Sequence, residues 1–378
     1  MEWDLYLNPV DFSNFDSVWG LQKKYLLSDL LENNEKNLSL EKTDIVIIGV
    51  EEDRNAIKKG SAESPDDIRK YLYGLNRISS EFKIRDLGNI KIGESVDDTY
   101  IALKEVCQEL IKRKITTVVL GGSQDLVKGI FMAFEKEAFH LVTIDPILDL
   151  RPGENTINSD NYLNSIFNKK NKDNSAVVLG SQNYFIDRKE VEYSFSLNVQ
   201  MMRLGKLRED LMESEPFLRN ADVVSFDLNS IRQSESPGQY FQSPNGLYPE
   251  EACQLIHYAG MGNEIKVAGF FNLIPKLDTS KLSSKLMANI VWHFLDGFYM
   301  RIPENPAINK NDFTEYDVSH DDIDFVLCFY KSDKTGRWWL KITTSEKEDD
   351  IFIPCSQKDY EQSCRNEIPD RLLKSLIF

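Results

Sequence analysis

Residues 117–150 read TVVLGGSQDLVKGIFMAFEKEAFHLVTIDPILDL, and the reading of this stretch decides the fold. Val118, Val119 and Leu120 form an uncharged apolar run, the composition of a strand buried on both faces of a parallel sheet. Gly121 and Gly122 permit a sharp turn. Leu126, Val127, Ile130, Phe131 and Phe134 then recur at helical spacing before a second strand begins at Leu141. The unit is strand, helix, strand. Asp145 and Asp149 leave the end of its second strand, the carboxyl edge at which open parallel sheets place their sites.

Working outward, residues 44–50 form the first parallel strand, and 175–179, 221–226 and 265–271 are further short apolar strands. Helical spacing predicts helices over 15–31, 97–113, 249–259 and 282–300. Ser64-Pro65-Asp66-Asp67 opens another, with Ser64 as its cap and two acids at its positive end. Strands alternating with helices imply a three-layer α/β architecture, a doubly wound parallel sheet with helices on both faces. Three segments are expected. Residues 1–44 are an N-terminal arm with a helix, 45–301 the α/β domain, and 302–378 a linker plus a small C-terminal α+β extension. In the extension, 325–330 and 338–342 flank Lys331-Ser332-Asp333-Lys334-Thr335-Gly336, a hairpin signal, with 350–354 as a third strand and 370–378 as a last helix. The extension either covers its apolar face on the main domain or presents Trp338, Trp339 and the Ile377 region to a partner.

Bulk properties narrow the function. Hydrophobic residues at 41% and charged residues at 28% fit a globular chain. A net charge of −16 without clustered Lys and Arg excludes nucleic acid as a partner. Five cysteines (Cys107, Cys253, Cys328, Cys355, Cys364), odd in number and without C-x-x-C spacing, fit neither zinc nor a disulfide framework. The sequence offers no membrane span, and Met1-Glu2-Trp3-Asp4 has no export signature, so a cytoplasmic protein is expected. Neither a phosphate loop nor a Gly-x-Ser-x-Gly elbow occurs. His140 at a helix end, His257 and His293 in helices and His320 in an acidic linker read as surface or packing residues.

The motifs at the sheet edge resemble those of the ureohydrolases, the arginase, agmatinase and formimidoylglutamase family. Where that family has G-G-D-H-S and D-A-H-x-D, this chain has Gly121-Gly122-Ser123-Gln124-Asp125 and Asp145-Pro146-Ile147-Leu148-Asp149. The third motif, S-x-D-x-D, corresponds to Ser225-Phe226-Asp227-Leu228-Asn229. Further matches run in order through Ile48-Gly49, Gly60, Pro65, Ile68-Arg69, Asp86-Leu87-Gly88 and Gly246-Leu247, so the resemblance spans roughly 45–299.

The resemblance implies an arginase-like fold and two manganese ions holding a bridging hydroxide. Carried over position by position, one metal site would comprise Gln124, Asp145, Asp149 and Asp227, and the second Asp145, Ile147, Asp227 and Asn229. Isoleucine offers no donor atom and Asn229 a neutral oxygen, so binuclear manganese is not expected. The remnant first site takes either no cofactor or one divalent cation, its oxygen donors suiting magnesium or calcium better than manganese. The substrate-gripping glutamate of the family is Asn272 here. The resulting expectation is a pseudoenzyme with this fold, a binding, scaffolding or regulatory protein with an unidentified protein partner and a possible homo-oligomer. The alternatives are a hydrolase of linear amidines with an altered single-metal site, and a sensor of a small guanidino or amino-acid ligand. Ser181-Gln182-Asn183-Tyr184 is placed to line the cleft.

Overall fold

The computed structural model describes residues 1–13, 15, 24–35, 40–134, 138–167, 174–319, 326–342 and 350–369. Nine strands form its main sheet: β1 (Leu7–Asn8), β2 (Ile45–Val50), β3 (Ile84–Ile90), β4 (Thr116–Leu120), β5 (His140–Ile144), β6 (Ser175–Ser181), β7 (Val199–Arg203), β8 (Val223–Asp227) and β9 (Val267–Phe271). Their order is β1-β3-β2-β4-β9-β8-β5-β6-β7. All pair in parallel except β1, which closes the edge antiparallel to β3 through Leu7 opposite Ile90.

Every residue of β2, β4, β8 and β9 is buried, because helices cover both faces. Alternate side chains therefore feed two cores. Ile45, Ile47, Val118, Leu120, Val224 and Phe226 join one with the Leu282–Tyr299 helix, while Val46, Ile48, Val119 and Val223 join the other with the Val96–Lys112 helix. Each such aliphatic side chain contributes about 1.5–3 kcal/mol by leaving water.

The Gly-Gly turn after β4 is dictated by space as well as by backbone angle. Gly121 and Gly122 have φ of +83° and +71°, and a Cβ on Gly122 would lie 2.5 Å from the Glu52 carbonyl oxygen. Packing this tight pins the start of the 124–126 turn against the loop after β2.

Several local expectations are corrected. Ser64 does not cap its helix; Glu63 holds that place, and the Ser64 hydroxyl donates to the Ser61 carbonyl. His140 begins β5 and does not end a helix. The helix after Gly122 is short, Val127–Phe131 behind a 3-10 turn at Gln124–Leu126. The N-terminal helix runs Leu26–Glu35; most of its expected first half lies outside the described residues, as do His320 and the expected 370–378 helix.

Beyond the main sheet stands an antiparallel sheet of β10 (Phe313–Ser319), β11 (Val326–Ser332), β12 (Trp338–Ile342) and β13 (Ile351–Cys355), followed by the helix Gln357–Ser363. The hairpin and third strand match the expectation; β10, in residues read as linker, and the helix do not. Trp338 and Trp339 are each 5% exposed and are not displayed to a partner. Trp338 stacks on Tyr360 at 4.7 Å, on one face of the sheet. On the other face Trp339 packs against the main domain, where the Arg219 guanidinium lies 4.2 Å above its ring. The same guanidinium donates to the carbonyls of Trp338 at 2.9 Å and Cys355 at 3.3 Å, while Glu215 pairs with Arg219 and Arg337.

The extension is thus bolted through one buried cation. Replacing Arg219 by Ala should destabilise the chain by about 2–4 kcal/mol, the range for breaking a buried ion pair with its hydrogen bonds. Urea unfolding followed by tryptophan fluorescence checks this, and an unchanged midpoint would remove Arg219 from the account.

Candidate functional site

Four strands adjacent in the sheet, β4, β9, β8 and β5, deliver the site. Gln124 follows β4, Asn272 follows β9, Asp227 ends β8 with Asn229 just beyond it, and Asp145, Ile147 and Asp149 follow β5. Parallel strands all end at one edge, so residues distant in sequence meet there. None of the seven is more than 5% exposed. Asp149 and Asn272 hold left-handed backbone, with φ of 49° and 64°, a conformation that Asp and Asn adopt more readily than bulkier residues.

The amides are engaged with their neighbours. The Gln124 side-chain nitrogen donates to Thr143 and Ser225 hydroxyls at 3.1 Å and to Tyr162 at 3.3 Å. The backbone N–H of Gln124 donates to the Asn272 side-chain oxygen, whose own amide nitrogen lies 3.4 Å from the Gln124 oxygen. Asn229 donates through backbone and side chain to the two oxygens of Asp227, at 2.8 and 3.0 Å. At the place of a second-ion ligand, Asn229 therefore acts as a donor to Asp227.

The acids are less well served. Asp145 accepts from the Ile147 N–H through Oδ1 at 3.0 Å, but its Oδ2 and both oxygens of Asp149 have no hydrogen-bond partner. Burial pushes the Asp145 carboxyl up to about 7, against the Ile147 N–H bond that holds it down. Burial, then the neighbouring charge of Asp145, raises Asp149 further, and the same two causes raise Asp227.

Tested against metal ligation, the donor set divides. Ile147 and Asn229 do not fit a second ion. The three orphaned oxygens of Asp145 and Asp149 do fit one cation, since an uncompensated buried charge is costly. Asp227 is turned onto Asn229, and the three acids do not bring one oxygen each within 4.8 Å of one another. Among the described residues the group that does is Glu315, Asp317 and Cys328, on the extension and away from this edge.

Two residues escaped the sequence reading. Asp125 is fully buried and accepts from the Ser123 and Tyr100 hydroxyls. Asp160, in the loop after β5, accepts from Tyr240 at 2.5 Å and adds its charge to Asp145 and Asp149. Asp125 closes the quoted Gly121–Asp125 motif but was given no role there, and Asp160 lies in no motif or periodic segment. Of the histidines, His257 and His293 meet edge to face, as do His293 and Trp292, on the Pro249–Gly260 and Leu282–Tyr299 helices.

The family described as Arginase family matches residues 43–296. Formimidoylglutamase of Staphylococcus haemolyticus (strain JCSC1435) is 24% identical over 308 residues, covering 77% of this chain and 95% of its own. Among solved structures, formiminoglutamase of Trypanosoma cruzi with Mn2+ superposes with a TM-score of 0.65 at 21% identity, covering 74% of this chain and 99% of that one. A hypothetical agmatinase from Burkholderia thailandensis gives 0.60 at 16% identity, over 69% and 87%. Likeness at these identities shows the shared fold.

The raised acids set a pH dependence. A carboxyl whose folded value lies near 7, above its ordinary 3.8, stabilises the fold fully below about 3.8, and that contribution fades as pH rises through about 7. In metal-free buffer at pH 8, replacing Asp149 by Asn should raise stability by about 1–3 kcal/mol. The advantage should shrink as pH falls towards 4. Urea titrations of both proteins across that range check it; a less stable Asp149→Asn chain at pH 8 would contradict the account.

Proposed function

The chain belongs to the arginase family, and from that premise we propose that it hydrolyses the carbon–nitrogen bond of a linear amidine or guanidine, with one divalent cation at the Asp145–Asp149 pair. The expectation of a scaffold without chemistry gives way to this reading on one observation. Two buried carboxylates retain three oxygens with no partner. A protein that had no use for them would be more stable, by about 1–4 kcal/mol, with apolar or amide side chains of similar volume there. Formimidoylglutamases as relatives point the same way.

Asp145 and Asp149 would hold the ion through their three unpartnered oxygens, hard donors that suit magnesium or calcium. Such an ion would polarise the substrate and acidify a water. The chain's own part is to bind and to exclude solvent. Asn272 stands at the place of a carboxylate that would bind an amidinium, offering a neutral amide already shared with Gln124. Water adds its oxygen to the amidine carbon, the carbon–nitrogen bond breaks, and the amine leaves with a proton.

A second reading, ligand binding without turnover, is favoured by Ile147 and by the bonding of Asn229 to Asp227, which leave no second ion to activate water. One assay separates the two. Purified chain should hold one equivalent of divalent metal by elemental analysis. It should release formamide or urea from a panel of formiminoglutamate, arginine and agmatine above a metal-free blank. Asp149→Ala should lower that rate about a thousandfold, the several kcal/mol a bound ion supplies. Full loading without turnover supports the binding reading, and two equivalents of metal would refute the single-ion site.

A further inference from the structure

The arginase-family match ends at residue 296, so the C-terminal sheet lies beyond it and brings surfaces of its own. Where that sheet meets the main domain a cavity of about 210 Å³ opens, lined by His140 and Asp222 at the start of β5 and the approach to β8. The acid cluster lies at the other end of the same strands. Asp222 is a tie between them. Its N–H donates to the His140 carbonyl at 2.9 Å, its Oδ2 accepts from the His140 N–H at 3.0 Å, and its carbonyl accepts at 2.8 Å from Lys266, which precedes β9. One buried aspartate thus joins the beginnings of the three strands that lead to Asp145, Asp227 and Asn272.

The extension contributes Trp339, Phe352 and Pro354 to the cavity, and the linker before it contributes Glu304. The charges deeper in the seam are already matched. Asp222 pairs with Lys266 at 2.8 Å, and Arg219, lying over the Trp339 ring, is met by Glu215. Glu304 differs. It accepts from the hydroxyls of Ser332 and Thr335, neutral donors that orient the carboxylate without cancelling its charge, while Lys334 on the same hairpin is held by Asp312 at 2.7 Å. Glu264, exposed, adds a second carboxylate to the lining from the main domain.

We propose that this seam is a second ligand site, one that takes a small organic cation, a primary ammonium held by Glu304 and Glu264 on a short apolar stem laid against Trp339 and Phe352. Carboxylates bind an ammonium through charge-assisted hydrogen bonds, and aromatic faces both cover the stem and attract the charge. The volume lies below the roughly 300–1,000 Å³ of sites for drug-sized ligands, so the molecule is small. An anion would meet Asp222, Glu264 and Glu304 together, all of one sign. Because Asp222 stands in the wall, an occupied seam holds the strand starts in place, and binding reads out as resistance to heat. The site is independent of the hydrolysis reading.

Calorimetry on the full chain compares n-pentylamine, n-pentanol and pentanoate. The amine should bind with a dissociation constant of about a millimolar or tighter, the alcohol about tenfold more weakly, and pentanoate without measurable heat. Saturating amine should raise the melting temperature. Glu304→Gln keeps an acceptor for Ser332 and Thr335 but removes the charge, and should weaken the amine about tenfold. Glu264→Gln, at an exposed position, should weaken it severalfold and decides the matter if Glu304→Gln melts well below the parent. Asp149→Asn, at the far end of the strands, should leave the amine's affinity unchanged, which separates the seam from the acid cluster. No saturable binding of the amine, equal or tighter binding of the alcohol or pentanoate, insensitivity to both glutamine variants, or loss of binding in Asp149→Asn overturns the proposal.

Discussion

Negative charge in a dry place is the constraint on which this structure turns. Asp145, Asp149 and Asp227 sit at the carboxyl edge of adjacent strands, each almost fully out of water. Carboxylates so placed repel one another and forfeit hydration, so the protein must supply protons, donors or a cation. It supplies donors unevenly. Asp227 receives two from Asn229, Asp145 one from Ile147, and Asp149 none. The unevenness localises the deficit on the Asp145–Asp149 pair, which is why a single cation fits there and a second does not fit beside Asp227.

The amides give the site its present shape. Gln124, Asn229 and Asn272 are all buried, and each bonds to a neighbour within the cluster. An amide can donate and accept at once, so it closes networks that a metal ligand, acting only as a donor of electron pairs, leaves open. Restoring a binuclear centre would therefore require more than an added ligand. It would require breaking the Asn229–Asp227 pair and freeing the Gln124 oxygen from Asn272.

The C-terminal sheet belongs to the body of the protein. Its two faces are covered, one by its own helix through the Trp338–Tyr360 stack and the other by the main domain through Trp339 and Arg219. Arg219 and Glu215 lie in the helix just before β8, the strand that carries Asp227. The extension thus braces the amino-terminal side of the same strand whose far end forms the site. A cavity of about 210 Å³ remains along this seam, lined by His140, Asp222, Glu304 and Trp339.

By itself the sequence determined the parallel core, since short uncharged apolar runs such as Val118-Val119-Leu120, bounded by a turn signal such as Gly121-Gly122 and alternating with helical periods, read as strands buried on both faces. It also determined which signature positions had lost their donors, because an isoleucine at 147 or an asparagine at 229 is a statement about chemistry that needs no coordinates. Local rules failed where tertiary contacts outweighed them. Ser64 turned from cap to loop donor, His140 entered a strand, and the polar residues of β10 became an edge partner of β11. Only the tertiary structure decided which acid goes unpartnered, what the amides bond to, and that Asp160 joins Tyr240 across 80 residues. Those outcomes depend on distances of a few ångströms between strand ends and loops, and hydrogen bonds between residues so far apart leave no period in the chain.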